Sequence, residues 1–184
     1  AGTEEQRREA LDFLVNGVDR ATRIGSQLLT MARIEPQLNN PTRSRVHLTE
    51  LVREELAELT PLAMEKDVEL VLEGNEECWV ETDPVALAIA LPNLVTNALN
   101  FSPLGGEVKV VIGVHCLSVE DQGPGIDEAQ IGRLFERFYS QGNANGAGLG
   151  LAIVQMIVGK IGCRLALHNR ERGGLCARLV FDES

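Results

Sequence analysis

Pro36, Asn39, Asn40 and Pro41 fall within six positions and divide the chain into two parts of different periodicity. Clustered prolines and asparagines mark connectors. Residues 1–35 hold no proline, and Leu11, Leu14, Val18, Ala21, Leu28 and Ala32 recur at spacings of three and four, with Gly25 in the one vacant place. One face is therefore apolar, and the other carries Arg20, Arg23 and Gln27. The spacing predicts a long helix over 4–35. Its apolar seam needs cover, either from its own domain or from a second copy as in a helix bundle.

Beyond the break the pattern is mixed. Residues 45–48 read as a short strand, and 49–66 as a helix with apolar Leu51, Val52, Leu56, Leu59 and Leu62, capped by Thr49. Strands follow at 68–72 and 78–82, separated by a Gly74-Asn75 turn. Asp83-Pro84 is a cap followed by proline in the first turn, and predicts a helix to Phe101 with a kink at Pro92. Residues 107–112 and 115–120 read as a hairpin turning near Gly113. Residues 131–138 read as a helix, 139–147 as a loop and 149–161 as a helix. Strands at 164–168 and 176–181 enclose a Gly173-Gly174 turn. The expected fold is α+β: a two-layer α/β sandwich with helices on one face of a mixed sheet, preceded by one long N-terminal helix.

The 184 residues, 44% of them hydrophobic, suffice for one well-cored domain plus an appendage. Aromatic residues are only 4%, so aliphatic side chains must build the core. A net charge of −10 argues against nucleic acid or an anionic membrane surface as a partner. Any anionic ligand would need a locally built site. Cys78, Cys116, Cys163 and Cys176 form no C-x-x-C pair and suit buried, reduced thiols in a cytoplasmic setting. No apolar run is expected to span a bilayer, which needs roughly 18–20 residues. The polar opening AGTEEQRREA is unlike a signal peptide. The expectation is a soluble piece, whose longer parent can still be membrane-anchored.

Four polar or glycine-rich segments interrupt the apolar pattern in order. Asn93, Asn97 and Asn100 are spaced i, i+4, i+7 and share a helix face. Their amide oxygens suit a hard cation such as Mg²⁺, although a solvated face reads equally well. Asp121-Gln122-Gly123-Pro124-Gly125-Ile126 follows a strand; its carboxylate can accept from an exocyclic amine, and its glycines allow close backbone approach. Read alone, it is a turn. Phe135-Glu136-Arg137-Phe138-Tyr139 holds three of the six Phe and Tyr residues, and Arg137 suits phosphate; helix packing explains the Phe pair as well. Gly146-Ala147-Gly148-Leu149-Gly150-Leu151 runs into a helix, whose unpaired N–H groups and positive dipole end favour an anion. No Gly-Lys-Ser/Thr follows, so it is not a Walker loop, and it does not follow a strand as a dinucleotide fingerprint would.

Order and spacing resemble the nucleotide-binding boxes of the ATPase superfamily of gyrase, Hsp90, histidine kinases and MutL. Asn93–Asn97 looks like the N box and Asp121-x-Gly-x-Gly like the first G box. Phe135–Tyr139 looks like the F box of sensor histidine kinases, and Gly146-x-Gly-Leu-Gly-Leu like the second G box. In the long helix, Gly17–Arg23 and Gln27–Arg33 resemble the second helix of the dimerisation and phosphotransfer domain. The nearest subgroup is the proteobacterial sensor kinases of the quorum-sensing and polymyxin-resistance type.

The resemblance implies a Bergerat-type ATP-binding fold and a division into 1–38 (second helix of the dimerisation domain), 39–45 (linker) and 46–184 (catalytic domain). It implies ATP against Asn93, Asn97, Asn100, Asp121, Gly123, Gly125, Ile126, Phe135, Arg137, Phe138, Tyr139, Gly146, Gly148, Leu149, Gly150 and Leu151. Within that set Asn97 would hold Mg²⁺, Asp121 would meet the adenine amine, Gly123 and Gly125 would shape the base pocket, and Gly146, Gly148 and Gly150 would frame the phosphates beneath a lid at 140–147. Implied partners are the phosphoacceptor helix of a homodimeric parent anchored in the bacterial inner membrane, and a response regulator that receives the phosphoryl group.

The sequence departs from the pattern in three places. The phosphoacceptor motif is absent: the histidines are His47, His115 and His168, none in the long helix and none followed by an acidic residue. The chain is therefore expected to hold a phosphoryl donor without its acceptor. Asn100 stands where many relatives carry a cation, and the lid QGNANGA has no basic residue. A charge-assisted phosphate bond contributes roughly 1.5–3 kcal/mol, so both absences weaken the expected affinity. Asn93 occupies the place of the water-activating glutamate of the hydrolytic relatives, and an amide cannot act as that base.

Overall fold

The computed structural model describes residues 3–127, 129, 131 and 150–182. In chain order the elements are α1 (Glu4–Asn39), β1 (Ser44–His47), α2 (Leu48–Glu65), β2 (Val68–Gly74), β3 (Trp79–Thr82), α3 (Pro84–Phe101), β4 (Gly106–Gly113), β5 (Cys116–Glu120), α4 (Gly150–Val158), β6 (Cys163–Asn169) and β7 (Leu175–Phe181). The helix expected at 131–138 and the loop at 139–147 lie outside the described residues, apart from residue 131.

Five strands form a mixed sheet in the order β2-β4-β5-β7-β6, with β2 and β4 parallel and the other neighbours antiparallel. β1 and β3 pair antiparallel in a separate two-stranded ribbon. In β4, Val108, Val110 and Ile112 are buried while Glu107, Lys109 and Val111 alternate with them on the other face. The buried face meets α2, α3 and α4. The opposite face mixes charged and apolar side chains, and Lys109 pairs there with Glu73 at 2.8 Å. This is the expected sandwich, with α2, α3 and α4 on one side of the sheet.

α3 is the centre of the core. Ala86, Leu87, Ala90, Leu91, Leu94, Val95, Ala98 and Leu99 are all buried. Contrary to expectation, this one helix is long and apolar enough to cross a bilayer by composition, with mean hydropathy 1.3. Its apolarity has another cause here, because α2, α4 and the sheet enclose it. Asp83 caps it as expected: Oδ1 accepts from the N–H groups of Val85 (3.0 Å) and Ala86 (3.1 Å). Oδ2 accepts from the Thr42 N–H at 2.9 Å. α3 continues through Pro92.

Local signals misled at three points. α1 runs through Pro36 to Asn39, because Ile34 and Leu38 are buried against the domain and hold the last turns. The cap of α2 is His47, whose Nδ1 accepts from the Glu50 N–H at 3.1 Å. β1 ends at His47 and the helix starts directly after it; Thr49 is buried and donates to the Asn75 carbonyl instead. His115 lies in the turn between β4 and β5 with φ +55°, not in a strand.

The expected seam of α1 remains open. Leu11, Leu14, Val18 and Leu28 are exposed, as are Phe13, Val15 and Leu29. The helix docks on its own domain through Met31, Ile34 and Leu38. All four cysteines are free thiols, and burial pushes the Cys163 thiol up to about 12.

Candidate functional site

α3 has two faces, and the second is amide-lined. Asn93, Asn97 and Asn100 are half-buried on the side away from the aliphatic core. The Nδ2 of Asn93 donates to the Ile89 carbonyl at 2.8 Å, one turn back. That bond fixes the amide and leaves Oδ1 turned toward α4. Asn97 has no hydrogen-bond partner among the described residues, so its amide oxygen is available to a ligand.

The first residue of α4 lies beside this face. A β-carbon on Gly150 would stand 3.6 Å from Asn93 Oδ1 and 3.8 Å from the Asn93 carbonyl. The first residue of α4, at the positive end of its dipole, thus meets the amide row of α3. Leu151, one residue on, is buried in the hydrophobic core.

The segment after β5 crosses the C-terminal end of α3. A β-carbon on Gly123 would lie 2.7 Å from the Phe101 carbonyl, so only glycine allows this approach. Asp121 is 4% exposed. Its Oδ1 accepts from the N–H groups of Gly123 (2.8 Å) and Leu175 (3.0 Å). Burial raises its pKa, while those two N–H groups and the Arg170 guanidinium oppose the rise. Oδ2 takes part in neither of these bonds and can accept from a ligand amine.

Three of the four sequence segments therefore converge on α3: the asparagines on its flank, the Asp121 loop at its C-terminal end, and the α4 N-terminus against Asn93. Phe135, Arg137, Phe138, Tyr139, Gly146, Gly148 and Leu149 lie outside the described residues. A group of three or more His, Cys, Asp or Glu side chains able to hold a metal is absent among the described residues. The donor set fits a hard cation only where the ligand brings most of the oxygens, with Asn97 adding one.

The hairpin between β6 and β7 is present as expected, but its hold on the Asp121 loop is what local sequence signals did not reveal. Asn169 Oδ1 accepts from the Ile126 N–H at 2.8 Å, and its Nδ2 donates to the Ile126 carbonyl at 2.7 Å. Arg170 donates to the Asp121 carbonyl at 2.6 Å and pairs with Glu120 at 3.2 Å. The Asp121 N–H donates to the Leu175 carbonyl at 3.0 Å. Gly173 and Gly174 announce the turn but not its approach to Asp121.

Residues 82–184 match the family described as histidine kinase-, DNA gyrase B-, and HSP90-like ATPases. The swarming motility regulation sensor protein RssA of Serratia marcescens is 36% identical over 169 residues, which cover 88% of this chain and 36% of that protein. The structure of the cytoplasmic segment of histidine kinase QseC superposes with a TM-score of 0.63 at 26% identity, covering 91% of this chain and 95% of that one. Full-length ShkA in complex with AMPPNP gives a TM-score of 0.73 at 25% identity, covering 100% of this chain and 41% of that one. The chain spans little more than a third of the length of its RssA relative. With the amide row, the buried Asp121 and the α4 N-terminus meeting in this fold, the chain belongs to the histidine kinase-, DNA gyrase B-, and HSP90-like ATPases, in their sensor histidine kinase branch.

Proposed function

We propose that this chain binds Mg-ATP on the α3 face and presents the γ-phosphoryl group to a histidine on a helix partnering α1. The convergence of Asn97, Asp121 and the α4 N-terminus carries this reading. Asp121 Oδ2 accepts from the adenine amine. The α4 N-terminus faces phosphate oxygens. Asn97 gives its amide oxygen to Mg²⁺, which neutralises phosphate charge when bound. Phosphoryl transfer asks little covalent chemistry of the protein, so holding the donor in line is the main contribution. The Asn93 amide, committed to Ile89, is no base for activating water. The reading is therefore transfer and not hydrolysis.

The role of Gly146, Gly148 and the Phe135–Tyr139 segment in enclosing the nucleotide belongs to this proposal, as does the division into helix 1–38, linker 39–45 and catalytic domain 46–184. So do homodimerisation of the parent through α1, relay to a response-regulator aspartate, and a cytoplasmic position on a membrane-anchored parent. The ShkA complex with AMPPNP supports the nucleotide part.

Calorimetric titration with Mg-ATP tests the binding. Saturable binding that is lost in Asn97→Asp and in Asp121→Ala is expected; absence of binding to the unmutated chain overturns the reading. Mixing the chain with a separate helical hairpin bearing a histidine, and following acid-labile label from ATP, tests the transfer.

A further inference from the structure

The loop from Asp121 to Ile126 contains two glycines and a proline, and no regular element holds it. Its two ends are nevertheless gripped, and by one place. Asn169 and Leu175 are cross-strand partners, the last pair before the β6–β7 turn. Leu175 holds the start of the loop: its N–H donates to Asp121 Oδ1 at 3.0 Å and its carbonyl accepts from the Asp121 N–H at 3.0 Å. Asn169 holds the end: its amide pairs with both main-chain groups of Ile126, at 2.8 and 2.7 Å, as a neighbouring strand would. Between them Gly125 adopts φ +73°, and a β-carbon there would lie 2.7 Å from Asn169 Oδ1. The loop lies flush against the amide.

We propose that Asn169 is a positioning residue for base recognition: by pairing with Ile126 it fixes the loop that carries Asp121, and so sets the preference for a purine bearing a 6-amino group. The inference rests on the Mg-ATP reading. A carboxylate–amine hydrogen bond is directional and weakens steeply when misaligned. Leu175 and Arg170 fix the Asp121 end, and without Asn169 the glycine-containing loop beyond it can pivot about that end. The side chain of Asn169 is exposed, so its substitution leaves the core intact.

The test compares dissociation constants for Mg-ATP and for the Mg²⁺ complex of purine riboside triphosphate, which lacks the 6-amino group. The proteins are the unmutated chain, Asn169→Ala and Asn169→Asp. Aspartate keeps the acceptor for the Ile126 N–H but sets an oxygen against the Ile126 carbonyl. Both variants are expected to weaken ATP by roughly three- to tenfold, the loss of one or two net hydrogen bonds, and the analogue by less than about twofold. The ATP-to-analogue preference then shrinks while the thermal unfolding midpoint holds. Unchanged preference overturns the proposal, whether both nucleotides bind as before or both weaken equally, since the latter marks a general structural role. Failure of the unmutated chain to bind either nucleotide overturns the Mg-ATP reading itself, and this inference with it.

Discussion

Gly174 presses on the main-chain carbonyl of Asp121 so closely that no β-carbon fits between them, and its φ is +93°. Gly173, beside it, has φ +89° but open space where a β-carbon would go. Gly173→Ala should therefore cost only backbone strain, about 1 kcal/mol, whereas Gly174→Ala should cost about 3 kcal/mol or more and displace Asp121. Urea unfolding of the two variants checks the contrast, which disappears if the hairpin relaxes freely.

Asp121 should trade stability for binding. Its pKa is raised chiefly by burial, so the folded state disfavours its ionised form. Between the ordinary carboxylate value and the raised one, the folded state holds a proton that the unfolded state has lost. Its contribution to stability therefore falls as pH rises through that window, and the penalty is complete above it. Asp121→Asn should melt higher than the unmutated chain at neutral pH while losing ATP affinity. The advantage should vanish at a pH below both values. Melting curves at several pH values decide; a lower neutral-pH midpoint in the variant contradicts the argument.

Asp83 is 1% exposed and joins two segments through its two oxygens. Asp83→Ala removes a helix cap and leaves the Thr42 N–H without its acceptor. The expected loss is about 2–3 kcal/mol, more than a surface cap alone gives. Asp83→Ser should restore the cap but not the reach to Thr42, and so recover about half. Denaturant midpoints of the pair measure the division.

The exposed stripe of α1 should drive self-association. Leu14 and Val18 are 62% and 64% exposed, and lie one turn apart on an apolar face with no cover. Leu14→Glu with Val18→Glu should yield a monomer by light scattering at concentrations where the unmutated chain pairs. A strictly monomeric unmutated chain would speak against it.

Much of this site was legible because its signals are local. A spacing of four and three puts Asn93, Asn97 and Asn100 on one side of any helix, and Asp83-Pro84 starts that helix wherever it packs. The glycines after Asp121 likewise announce close approach without saying to what. What escaped was long-range. Arg170 and Leu175 meet Asp121 from 49 and 54 residues away, and Asn169 meets Ile126 across 43. Nothing local in an asparagine at a strand end foretells that pairing. The error at Pro36 has the opposite origin: a strong local breaker was overruled by burial of Ile34 and Leu38, because packing outweighs propensity where the two conflict.

The connector after α1 has only residues 40–43, and the Thr42 N–H is tied to Asp83. Four extended residues reach about 14 Å at most. Freed from Asp83 and from the Ile34–Leu38 seat, the domain would still be tied to α1 by those four residues. If ATP binds the α3 face as proposed, its phosphoryl group would stay near the end of α1. On the proposed reading, the short tether would act as a geometric filter, admitting acceptors by their height along the helix before any side chain has recognised them.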